Sequence, residues 1–287
     1  MSTVRSAKHR FHRWWWWWHL DRQTELLLTA RKVRPYEFDE NRWYNTFLAM
    51  DPPPSDIPLQ REVPSLVWCI WAGDNAMSEQ RQRGLASIRE MNPAAEVILV
   101  TPANLGEYVL PEAPLHPIYP SLSLVHRSDY LRGYLLHHYG GAYADIKPQL
   151  GSIQDAITEL NADRDRWLVG SPIPRFPPAI AGESELDREC RRHFDLLPCG
   201  GAYAARAGTP LTHEWVAEVA RRCDYYQEVA TRHPGETWGV WVENGPETRY
   251  PIHWNVLQAN VLEPLCLKYA SHVLLHEGYA PQLHDYR

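Results

Sequence analysis

The tightest constraint on the fold is an alternation of two hydrophobic periodicities that begins at Pro64. Pro64-Ser-Leu-Val-Trp-Cys-Ile-Trp71 is a short apolar run closed by Gly73-Asp74-Asn75, the pattern of a strand buried on both faces, as in parallel sheets. From Ser78 to Met91, apolar Leu85, Ile88 and Met91 recur among charged residues until Asn92-Pro93, which predicts a surface helix and its stop. Glu96-Val-Ile-Leu-Val100 reads as the next strand, and Thr101-Pro102 offers a cap and a first-turn proline for a helix over 104–109. Strand, helix, strand, helix in this order predicts a mostly parallel α/β sheet with right-handed crossovers. In such sheets, ligands bind beyond the carboxyl ends of the strands.

The block 126–148 carries the chemistry. His126-Arg-Ser-Asp-Tyr-Leu-Arg-Gly-Tyr-Leu-Leu-His-His-Tyr139 reads as a helix that Gly140 terminates in a left-handed cap. Asp129 and Arg132, three apart, share a helical face. Ala142-Tyr-Ala-Asp-Ile146 then reads as a short strand, and alternation points Asp145 and Lys147 the same way. Two acids and two bases gathered this way suit a charged, polyhydroxylated ligand: carboxylates accept hydroxyl hydrogen bonds, and cations meet phosphate. On residue types alone, two local salt bridges at a helix–strand junction account for the pattern equally well.

Ser128-Asp-Tyr-Leu-Arg132 followed by Tyr139-Gly-Gly-Ala-Tyr-Ala-Asp145-Ile-Lys147 resembles the sugar-binding Asp-X-Asp region of GT-A glycosyltransferases. Within them it is most similar to the capsular polysaccharide synthesis group, relatives of the yeast initiating mannosyltransferases and the clostridial glucosylating toxins. Pro64 to Trp71, Asn92 to Val100, Gly201 to Pro210 and Tyr250-Pro-Ile-His-Trp254 resemble other segments of the family, so the likeness spans about 63–275. The resemblance implies a GT-A (Rossmann-like) α/β domain that moves a sugar from a nucleoside diphosphate-sugar to a glycan or lipid-linked acceptor in cell-surface polysaccharide assembly, retaining anomeric configuration. It implies that Trp71 lies beside the nucleobase, that Asp129 contacts the nucleoside, that Arg132 meets sugar or phosphate, and that Asp145 binds ribose or sugar hydroxyls.

The chain departs from the family at Lys147, where the second acid of Asp-X-Asp ordinarily ligates Mn²⁺ or Mg²⁺. An ammonium repels a cation, and Asp145 alone is a poor start for a hard divalent ion. The expectation is therefore that no metal is required, Lys147 standing in for it as a fixed cation facing the diphosphate; Mn²⁺ or Mg²⁺, with Asp145 as ligand, is the alternative. A second functional reading is a non-catalytic nucleotide-sugar or glycan-binding protein on a degenerate scaffold.

Residues 151–287 continue the alternation and are assigned the acceptor side, with 63–150 as the donor-binding half of a domain spanning 59–287. Strands are expected from Leu168, over Leu197 to Ala205 and over Ser271 to His276. Thr209-Pro210 caps a long helix carrying Leu211, Trp215, Val219 and Cys223, and another helix follows His253-Trp254 through Val261. Trp238, Trp241, Glu243, Asn244, His253 and Trp254 are the candidate acceptor-binding residues, and their alternative is a packed surface loop. None of the 14 histidines has metalloprotease spacing.

Residues 1–58 form a basic, Trp-rich extension with a short helix over 24–32 and a linker at Asp51-Pro-Pro-Pro. Residues 1–34 hold eight Lys/Arg against two acids, a net +6, which leaves 21 bases and 33 acids in the remainder. The run Trp14–Trp18 is far below the ~20 apolar residues of a membrane-spanning helix, and the segment fails as a signal peptide because no small-residue cleavage site follows. Its readings are a peripheral contact with an anionic membrane or a variable leader. Five scattered cysteines suit a reducing, cytoplasmic setting, and the net charge of −6 gives no reason to expect nucleic acid.

Overall fold

A computed structural model describes residues 22, 24–50, 59–173, 182, 184–235 and 248–279. Its centre is one six-stranded sheet in the order β2-β1-β3-β5-β4-β6, built from β1 (Leu66–Ile70), β2 (Glu96–Val100), β3 (Gly141–Ala144), β4 (Leu168–Pro172), β5 (Pro198–Ala205) and β6 (Val273–Leu275). β1 pairs in parallel with both β2 and β3, and β4 with β6. β5 runs antiparallel between β3 and β4. The expected mostly parallel α/β sheet is therefore what forms, with a single reversed strand at its middle.

Helices cover both faces, which is why β1 and β3 read as unbroken apolar runs. On one face α2 (Glu79–Met91) and α4 (Gln154–Ala162) bury Leu85, Ile88, Ile153, Ile157 and Leu160 against Val67, Cys69, Ala142 and Ala144. On the other, α3 (Leu124–His138), α6 (Pro210–Arg232) and α7 (Ala259–Lys268) pack Leu131, Leu135, Trp215, Val219, Leu262 and Leu265 against Trp68, Tyr143 and Tyr203. A further helix, α5 (Glu185–Arg192), packs on α7. The N-terminal helix α1 (24–33) is tied through Arg31 to His193 and Asp195, and the stretch after it packs on this second face, where Trp43 and Leu48 are fully buried. That stretch contributes to the core although its sequence carries no regular period.

Most expected boundaries hold for identifiable reasons. Ser78 caps α2 by accepting from the Arg81 N–H, and Thr209 caps α6 ahead of Pro210. Three expectations need correction. The helix expected over 104–109 is a single 3₁₀ turn, Leu105–Glu107: the Asn104 side chain accepts from the Thr101 N–H and hydroxyl, and Gly106 within and Pro111 beyond offer nothing to propagate it. The helix after Trp254 starts only at Ala259, and the last strand is cut to 273–275 by a 3₁₀ turn at 270–272.

Candidate active site

The site forms at the carboxyl end of β3, where the chain order of the sheet reverses beside β1, the place where ligands bind in open α/β sheets. Its geometry begins with the turn from α3 into β3. Gly140 and Gly141 have φ of 73° and 93°, a region that side chains disfavour, and a Cβ on Gly141 would meet the Leu66 carbonyl oxygen at 2.7 Å. The tight turn folds α3 back over β3, so Asp129 and Arg132 on the helix face the residues that leave the strand. Ser123 caps α3 and accepts from the His126 N–H.

Arg132 is the hub. Its guanidinium lies 3.1 Å from Asp129 and 3.7 Å from Asp145, donates to the Gly200 carbonyl at 3.0 Å and sits 4.3 Å over the Tyr143 ring. Asp145 lies one residue beyond the β3 ladder, its N–H donating to the Gly201 carbonyl. Its carboxylate accepts from the Tyr143 hydroxyl at 2.6 Å and pairs with the Lys147 ammonium at 2.7 Å. Asp129, Arg132, Asp145 and Lys147 thus form one contiguous cluster of two acids and two bases, rather than two separate local bridges.

The two carboxylates are held in different states. Burial pushes Asp129 up to about 7, with Arg132 opposing and Asp145 adding to the rise. For Asp145, burial also acts upward, but Lys147, Arg132 and the Tyr143 hydroxyl outweigh it and hold the carboxylate below its ordinary range. Burial works against the Arg132 charge, yet Tyr143, Tyr203 and both carboxylates carry its pKa well above the usual value. Near neutral pH the cluster therefore holds a firm anion at Asp145 and a guanidinium that stays charged, with Asp129 the more easily protonated of the two carboxylates.

Trp71 follows β1 at the same edge of the sheet, one strand from Asp145. Its indole N–H donates to the Asn75 carbonyl at 2.7 Å, and its ring packs with the α2/α4 face, whereas Tyr143 and Arg132 belong to the α3 face. His253 reaches α3 through its backbone: its carbonyl accepts from the His126 ring at 3.1 Å, and that ring also bonds the Tyr250 hydroxyl at 2.8 Å and the Ser123 hydroxyl at 3.0 Å. Burial lowers His126 to about 4, so it is a neutral pin between the start of α3 and the segment containing His253 and Trp254. Trp238, Trp241, Glu243 and Asn244 lie outside the described residues, as does the run Trp14–Trp18.

Several contributors escaped the sequence reading. Tyr143 had a usable signal, since the strand expected over 142–146 puts it on the face of Asp145. The strand itself ends at Ala144, and a tight turn in which the Lys147 N–H donates to the Asp145 carbonyl, not strand alternation, brings Asp145 and Lys147 together. Arg81 and Gly84 had none. The Arg81 guanidinium donates to the Ile146 carbonyl at 2.7 Å, and Ser87 accepts from the Gln149 N–H. A Cβ on Gly84 would lie 3.1 Å from three backbone atoms of Lys147. α2 is therefore the bed on which the Asp145–Lys147 turn rests. A cavity of about 380 Å³ lined by Glu62, Ser65, Gln154 and Asn161 lies at the amino end of β1, remote from these charges, and its amides are spent on the backbone of Val63 and Ala94.

A divalent cation fits the cluster poorly. The Asp145 oxygens face an ammonium, a guanidinium and a phenol, and among the described residues no group of three or more His, Cys, Asp or Glu is arranged to hold a metal ion. Among these residues, too, no helix is long and apolar enough to cross a membrane.

Residues 36–146 match the family of capsular polysaccharide synthesis proteins. The match takes in Trp71, Asp129, Arg132, Tyr143 and Asp145 and stops one residue before Lys147. No curated protein matches the chain. Among solved structures, the chain is similar to the PaToxG glycosyltransferase at 13% identity, over 73% of this chain and 74% of that one, with a TM-score of 0.35.

Proposed function

We propose that the protein is a glycosyltransferase of GT-A type that moves a sugar from a nucleoside diphosphate-sugar to a glycan or lipid-linked acceptor in cell-surface polysaccharide synthesis. The observation that carries this reading is the Arg132–Asp145–Lys147 cluster at the carboxyl end of β3, within and just past the stretch that matches the capsular polysaccharide synthesis family. Asp145, kept ionised, accepts hydroxyl hydrogen bonds from the donor's sugar or ribose. Asp129 holds Arg132 in place and contacts the nucleoside. Arg132 and Lys147 face the diphosphate, and the charge that develops on the departing nucleoside diphosphate is met by fixed cations in a buried setting. Trp71 lies beside the base, and His253 and Trp254, with Trp238, Trp241, Glu243 and Asn244, serve the acceptor. Retention of configuration follows from the family likeness, the leaving phosphate taking the acceptor's proton.

In this reading Lys147 replaces the metal. The Lys147→Ala variant is expected to lose sugar transfer while keeping its affinity for the free nucleoside diphosphate within a few-fold, measured by calorimetry beside a transfer assay. Full transfer in that variant would sink the proposal. One observation favours a second reading, binding without turnover: the Lys147 ammonium is already paired with Asp145 at 2.7 Å. Tight donor binding with no release of nucleoside diphosphate, in the presence of acceptor, would select it.

A further inference from the structure

The N-terminal helix has two unlike sides. Thr24, Leu27 and Arg31 are half-buried and face the protein. Arg31 is clamped there: its guanidinium donates to both Asp195 oxygens at 3.2 and 3.3 Å and contacts the His193 ring. About a third of a turn round the helix, Leu26 is 62% exposed and Val33 84% exposed, with exposed Ala30 between them on one stripe. Lys32 and Arg34, also exposed, flank this stripe on either side. Residues 1–34 carry a net +6 and include five consecutive tryptophans, whereas the other residues sum to −12. An apolar stripe with cations at its margins, next to residues that favour the bilayer interface, is the design of a helix that lies on a membrane.

We propose that α1 docks the protein on an anionic membrane surface, with Leu26, Ala30 and Val33 in the interfacial layer and Lys32 and Arg34 over the headgroups. The charge asymmetry orients the molecule, because an anionic surface attracts the basic segment and repels the acidic remainder. The clamp at Arg31 fixes the helix to the turn at 193–195, which leads directly into β5 and the Gly200 carbonyl that holds Arg132. The lipid surface is favoured over a second copy of this chain because an acidic protein surface would answer the charges but not the apolar stripe and the tryptophans.

The test is co-sedimentation of the full chain with phosphatidylcholine vesicles, with and without about 30% phosphatidylglycerol. Binding is expected only to the anionic vesicles, falling sharply at about 0.5 M salt, where the screening length is a few ångströms. The double variant Leu26→Glu/Val33→Glu should bind at least about tenfold more weakly with an unchanged melting temperature, since neither side chain touches the core. Binding to neutral vesicles alone, equal binding by the double variant, or salt-dependent self-association without vesicle binding would each overturn the proposal. Nucleotide-sugar turnover in solution is read separately, so the docking and the catalytic reading fail independently.

Discussion

Replacing Gly84 by alanine tests whether α2 is the support of the charged turn. A methyl group there would stand 3.1 Å from the N, Cα and C atoms of Lys147, while carbon atoms settle at about 3.5–4.0 Å. Relief requires helix and turn to part by roughly 0.4 Å or more. The turn cannot yield freely, because the Ile146 carbonyl is held by Arg81 and the Gln149 N–H by Ser87. Removing a mid-helix glycine gains about 1 kcal/mol, and overpacking against backbone costs about 1–3 kcal/mol. The net is a loss of roughly 0–2 kcal/mol, or a fall in melting temperature of no more than ~8 °C. The functional cost is larger in proportion, since misplacing a reacting group by about 1 Å can cost 10²-fold. Donor turnover in the Gly84→Ala variant should fall at least about tenfold, while Gly106→Ala, where a Cβ meets nothing within 4 Å, leaves turnover unchanged. A Gly84→Ala protein that melts higher and turns over donor at the parent rate would refute the reasoning.

Arg206 is fully buried with backbone carbonyls for partners: its guanidinium donates to Gln60 at 2.7 Å, to Arg61 and Arg166 at 3.3 Å, and to Leu160. Arg206→Met should cost about 3–5 kcal/mol by denaturant titration, and a loss under about 1 kcal/mol would show that water replaces these bonds. Glu263 is pushed by burial, with Asp187 adding, up to about 8 from 4.5. Because the folded value is raised, its contribution to stability is complete below about pH 4.5 and is lost as pH climbs through 8. The melting temperature of Glu263→Gln relative to the parent should therefore rise by several degrees between about pH 5 and pH 9, and a flat difference would contradict the burial argument.

Much of the sheet was readable because strands such as β1 and β5 are short apolar runs near Gly or Pro, and α2 and α6 carry their own start signals at Ser78 and Thr209; α4 and α7 have no such cap. The two pairings of the cluster were readable from local spacing, Asp129 with Arg132 on a helix and Asp145 with Lys147 after a strand, while their reading as a ligand site came from the family resemblance. What spacing could not convey was their union through Arg132, whose 3.7 Å approach to Asp145 depends on the Gly140-Gly141 turn. Arg81 and Gly84 were invisible because their roles depend on α2 lying across the turn, a contact between residues about sixty positions apart. Nor did residues 36–50 advertise the burial of Trp43 and Leu48, since a single 3₁₀ turn, Phe47–Ala49, among loop residues is too short to show a period.

The central claim is that Lys147 does electrostatically what a divalent ion does elsewhere. The direct measurement is release of nucleoside diphosphate from a panel of nucleotide sugars, with acceptor glycans present, in Mn²⁺ and separately in excess EDTA, for the parent and for Lys147→Ala. The account predicts release by the parent that survives EDTA and disappears in the variant. Release that requires Mn²⁺, or that persists in Lys147→Ala, would contradict it.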